Sequence, residues 1–171
     1  DSVKVASSAA LAASTYSNGS SGVGATLTAN ANGVLSIDGV NSGLASKRVL
    51  IKDQTAGEYN GIYTVNASGA PTRSTDANTS VEVTSGLYTL ITEGTVGAGQ
   101  GFVLVTPDPI TLDTTSLSFS QFSGVGDLLG GTGITKTGNT ISVDASQTQI
   151  TDVGILDTGS ITSGFGNIDN G

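Results

Sequence analysis

The chain has 171 residues, a net charge of −8 and an isoelectric point near 4.1, and only 12% of its residues are charged. It contains no Cys, His, Met or Trp. Within these residues that excludes a Ser-His-Asp triad, a catalytic Cys, a His- or Cys-ligated metal and a disulfide framework, and the acidity argues against DNA, RNA or an anionic membrane as partner.

Nearly half of the residues are Gly, Ser, Thr or Asn. The longest apolar run, Ala9 to Ala13, is far too short to span a bilayer, so no membrane insertion is expected. No initiator Met and no signal-peptide pattern opens the chain, which reads as a piece of a longer protein that continues beyond Gly171.

Period-two alternation dominates, and helix-period stripes are nearly absent. Strands are predicted over residues 2–6 (around Val3 and Val5), 25–29 (around Leu27) and 34–40 (Leu35 and Ile37). Residues 6–15 are the one stretch that could hold a helix, and their Ser and Thr content opposes it. A hairpin is predicted from 48–52, with its run Val49-Leu50-Ile51, to 61–66, with Ile62 and Tyr63 on opposite faces; Gly57 and Asn60-Gly61 supply turn chemistry between them. Further strands are predicted at 81–83, 87–92, 102–106 and 117–122, with Pro107 and Pro109 ending the third of these. Short strands at this spacing indicate an all-β sandwich or barrel-like domain over residues 1–124.

Beyond Gly124 the chain becomes leaner in large apolar residues. A Gly-rich joint leads to a predicted hairpin, 133–137 with 140–144, closed by Gly138-Asn139. Residues 145–171 offer too little apolar area to offset an ordering cost of about 1–2 kcal/mol per residue. Two readings follow for 125–171: a linker, or the start of an extended β shaft in which identical chains share one core and pair each other's edges.

Three segments in order, Asn32-Gly-Val-Leu-Ser-Ile-Asp-Gly-Val40, Lys47-Arg-Val-Leu-Ile-Lys-Asp-Gln-Thr55 and Tyr59-Asn-Gly-Ile-Tyr-Thr-Val65, are followed by Arg73-Ser-Thr-Asp76, Gly101-Phe-Val-Leu-Val-Thr106 and Leu117-Ser-Phe-Ser-Gln-Phe122. This series resembles a module of bacteriophage tail fibre and tail spike proteins over roughly residues 1–124. Gly131-Thr-Gly-Ile-Thr135, Gly138 to Asp144 and 155–171 are similar to segments that follow it in such fibres. The resemblance implies a homotrimeric virion appendage that links the tail to a host-recognition tip, with other tail proteins (an adaptor, nozzle or baseplate) as partners. Its alternative implication is a module that binds host-surface polysaccharide. Members often carry Trp where this chain has Pro71-Thr72 and Phe102, which weakens the glycan-binding implication.

Candidate chemistry is sparse. Paired carboxylates could serve a glycosidase, yet Glu58, Glu82 and Glu93 are the only glutamates and most aspartates sit in turn contexts, so no catalytic residue and no enzyme activity is expected. Asp144, Asp152, Asp157 and Asp169 match no calcium-loop spacing, and no metal or cofactor is expected. Residues 130–137 lack the Gly before Lys136 that a phosphate loop requires, and 97–101 is followed by no helix. Asn18, Asn66 and Asn78 open glycosylation-like triplets that this composition produces by chance. Lys47, Arg48 and Lys52 place three of the six basic residues within six positions. Together with Tyr59 they are the candidate receptor contacts, against the alternative that the cations pair with Asp53 and Glu58 and that one of Tyr59 and Tyr63 belongs to the core.

Overall fold

Val49, Leu50 and Ile51 form an uninterrupted apolar run because both faces of their strand are buried. The structure is a computed structural model that describes residues 1–123, 130–137, 140–147 and 150. Its strands are β1 (Val5–Ala6), β2 (Ser14–Ser17), β3 (Thr26–Ala29), β4 (Arg48–Ile51), β5 (Gly61–Thr64), β6 (Thr72–Arg73), β7 (Tyr88–Leu90), β8 (Gly101–Leu104), β9 (Phe119–Ser123), β10 (Ile134–Thr137) and β11 (Thr140–Val143). A 3-10 turn, Gly57–Tyr59, joins β4 to β5. The fold is all-β, and the chain divides into two compact units, Asp1–Asp127 and Leu128–Gly171.

In the first unit a six-stranded sheet has the order β1-β4-β5-β6-β3-β2, and a three-stranded sheet the order β7-β8-β9. The β4–β5 pair is antiparallel, with Val49 opposite Tyr63 and Leu50 opposite Ile62. Alternation sends the two pairs to different cores. Leu50 and Ile62 join Phe102 and Leu104 of β8, together with Ala77, Val83, Ile110, Leu112 and Leu117 from connecting segments. Val49 and Tyr63, with Ile51, Val5, Leu27 and Val65, are covered on the other face by Ile37 and Leu44. One sheet therefore carries two cores, a second sheet closing one and loop 35–44 closing the other. Removing such a side chain, as in Leu50→Ala, costs about 2–5 kcal/mol.

The N-terminal segment joins the two sheets. Val3 N–H donates to Leu90 O (2.9 Å) and Val3 O accepts from Thr92 N–H (3.0 Å), while Lys4 and Ser7 N–H donate to Arg48 O and Leu50 O (both 2.8 Å). Its β1 portion runs parallel to β4, with Val5 opposite Val49. The strand predicted over 2–6 is thus short because it serves two sheets in succession.

Other expectations need correction. Residues 34–40 form no strand; Asp38 and Gly39 both take positive φ (45° and 78°), and the chain reverses so that Ile37 and Val40 bridge each other. The Asp-Gly pair overrides the alternation around it. Residues 81–83 lie in a turn, where the Glu82 carboxylate accepts the N–H groups of Asn78 and Thr79 (both 3.1 Å) and Val83 N–H returns to Thr79 O (3.1 Å). Residues 6–15 form no helix; the stretch ends in β2, which pairs with β3.

In the second unit β10 and β11 form the predicted antiparallel hairpin, from Ile134 opposite Val143 to Thr137 opposite Thr140. Thr135 Oγ1 donates to Asp144 Oδ1, and Gln147 Nε2 donates to the carbonyls of Gly133 and Asp144 (both 2.7 Å). Ile134, Ile141 and Val143 remain exposed, so the described hairpin has no core of its own. Its Gly138-Asn139 loop, the joint at 124–129 and the shaft residues 151–171, with Asp152, Asp157 and Asp169, lie outside the described residues.

Candidate functional site

Arg73, with Asn60, Gly61 and Tyr63 of the 59–65 segment, forms a buried polar clamp. Arg73 is only 2% exposed, yet no carboxylate pairs with it among the described residues. Its Nη1 donates to Asn60 O (3.0 Å), its Nη2 to Glu58 O (2.9 Å) and its Nε to Tyr16 Oη (3.2 Å). The guanidinium also lies 5.6 Å from the Tyr16 ring and 5.3 Å from the Tyr63 ring. Two carbonyls from the β4–β5 connection and two aromatic faces thus solvate a charge that water cannot reach. Gly61 makes this possible: its φ is +147°, and a Cβ there would strike Arg73 Nη1.

Asn60 extends the clamp. Its Nδ2 donates to Leu117 O and its Oδ1 accepts Gln54 N–H (both 2.9 Å), which ties the end of the 3-10 turn to the segment leading into β9. Tyr63 Oη donates to Tyr59 O (2.6 Å), and burial pushes the Tyr63 phenol well above the usual tyrosine range, with Arg73 opposing part of the rise. Away from the clamp, Asp38 accepts the N–H groups of Val96 (3.0 Å) and Gly97 (2.8 Å) while its carbonyl accepts Thr95 N–H (3.0 Å). The aspartate of the Ile-Asp-Gly segment therefore docks the 94–97 turn.

The candidate receptor contacts separate into three places. Lys47 and Arg48 meet Lys4 in a groove of about 370 Å³ whose lining also includes Ser2, Thr92 and Glu93. Lys4 pairs with Glu93 there. Arg48 pairs with Asp76 through Nη2 (2.8 Å) and donates from Nε to Ser74 Oγ (3.2 Å). Lys47 is exposed and forms no ion pair among the described residues. Lys52 is elsewhere: it pairs with Asp53 (3.1 Å) and lies 4.8 Å from the Phe102 ring. Tyr59 is half-buried and stacks on Tyr16, with centroids 4.4 Å apart and planes 17° off parallel.

The expected pairing of the cations with Asp53 and Glu58 thus holds for Lys52 and Asp53, while Arg48 takes Asp76 and Glu58 contributes its carbonyl to Arg73. Sequence reading missed Lys4 and Glu93 as groove residues and Arg73 as the clamp's centre. Lys4 and Glu93 are 89 positions apart, and no local pattern marks them as neighbours. Chemically, the groove can hold one anionic group against Lys47, with the other two cations already neutralised by carboxylates. Exposed pairs of this kind contribute about 0–1 kcal/mol each. Among the described residues no cluster of three acidic side chains is placed to hold a metal ion.

No protein-family model, no curated protein and no solved structure matches the chain.

Proposed function

We propose that the chain is a structural, non-enzymatic component of a bacteriophage tail fibre, a spacer between the tail and the host-recognition tip that associates as a homotrimer. The observation that carries this reading is that its motif residues Asp38, Asn60, Gly61, Tyr63 and Arg73 all serve internal fastening. A module whose motif residues fasten its own strands and turns suits a part that transmits position and torque. The exposed apolar residues of β10 and β11 support association with further copies, because an isolated two-stranded hairpin is at best marginally stable in water. Antibody against the 1–123 region, visualised by electron microscopy on purified virions, is expected to decorate the tail. Decoration of the capsid, or of no part of the virion, would refute this reading.

A second reading, a module that binds host-surface polysaccharide, is favoured by exposed Lys47, which lines a groove and forms no ion pair among the described residues. Three copies of a weak site would gain avidity. Lys47→Glu then reduces adsorption to host cells or binding to an acidic polysaccharide; unchanged adsorption and binding would remove this reading and leave the spacer role intact.

A further inference from the structure

The three-stranded sheet buries one face and leaves the other open. Thr89, Phe102 and Leu104 point inward and are buried. Cross-strand register places Tyr88 beside Val103, Leu90 beside Gly101, and Val103 beside Ser120 on the outer face, which Val105 continues by alternation. A bulge between Gly101 and Phe102 sets the Phe122 ring over Gly101, where a Cβ would collide with it. Tyr88 is 66% exposed, Phe122 53%, Val105 51% and Leu90 49%, so this is a contiguous apolar surface and not a lone residue. The strands β7, β8 and β9 contain no charged residue. Strand β9 ends the sheet and carries neither a charge nor a proline, the usual protections of a free edge.

The chemistry of the face selects its occupant. A chain with a net charge of −8 repels its own copies over most of its surface, and a charge-free face is where two copies meet without burying like charges. A basic partner would gain little from strands that bear no carboxylate. A sugar stacks on an open, flat ring face, whereas Tyr88 and Phe122 meet edge to face at 87° with centroids 6.0 Å apart and aliphatic side chains around them. That uneven apolar relief suits interdigitating protein side chains.

We infer that the outer face of the β7-β8-β9 sheet is a contact surface for a second copy of this chain. The inference rests on the reading of the chain as one that assembles with itself, and it names the surface in the first unit that does so. Because the sequence has no Cys, Ser120→Cys places a single thiol on this face, opposite Val103, and Thr28→Cys on β3 provides an exposed control. With the full chain, a short bismaleimide is expected to link the Ser120→Cys variant into covalent dimers far more efficiently than the control. Leu90→Lys, at an exposed position where folding is checked by circular dichroism, is expected to weaken self-association about tenfold or more in light scattering. A multimer in which Leu90→Lys changes nothing and both thiols react alike overturns the inference while leaving assembly standing. A single-copy mass for the unsubstituted chain overturns both. Protection of the Ser120→Cys thiol by added dextran in place of a second copy overturns the inference in favour of a glycan surface.

Discussion

Arg73 shows how much one side chain organises here. Its guanidinium satisfies two backbone carbonyls of the β4–β5 connection and meets Tyr16 and Tyr63, so truncation leaves buried acceptors unpaired as well as a void. Arg73→Ala is expected to lower the unfolding free energy by about 3–5 kcal/mol, read from urea denaturation. Tyr63 gives a prediction in pH. An unfolded tyrosine loses its proton near pH 10, but burial holds the proton on Tyr63 in the folded chain, so its contribution is complete below about pH 10 and is lost as pH rises further. Thermal unfolding followed from pH 8 to 11 should show the melting temperature falling at the alkaline end, and Tyr63→Phe should flatten that fall. The Arg73 role was not legible in the sequence, because a lone arginine among Thr and Ser reads as surface until the fold brings Asn60 and Tyr16 to it.

At the scale of elements, the turn at Asp38-Gly39 matters more than the strand its alternation suggested. The Asp38 carboxylate receives two backbone N–H groups of the 94–97 turn, and Gly94, at φ +137°, leaves room for it. Asp38→Ala is expected to cost about 1.5–3 kcal/mol, with amide exchange rising first at Val96 and Gly97. The β4–β5 hairpin was legible because its Val-Leu-Ile run and Asn-Gly pair are local signals that the packing reinforces. Strands β2 and β6 were not, since Ser14–Ser17 and Thr72–Arg73 have little apolar content and exist through their pairing with β3 and β5. The grouping of Lys4 with Lys47 and Arg48 escaped the sequence for the same reason: the parallel placement of the N-terminal segment beside β4 is a long-range event.

For the whole molecule, the uneven distribution of apolar residues is the main physical fact. The first unit fills two cores and still leaves the β7-β8-β9 face open, while the described hairpin of the second unit fills none. A chain so built gains stability when its open apolar surfaces are covered, and association couples that gain to concentration. A melting temperature that rises with protein concentration is therefore expected. The most direct measurement is the solution mass of the intact chain by multi-angle light scattering. The account predicts a particle of three copies of the 16.8 kDa chain, and a particle of 16.8 kDa at every concentration would contradict it.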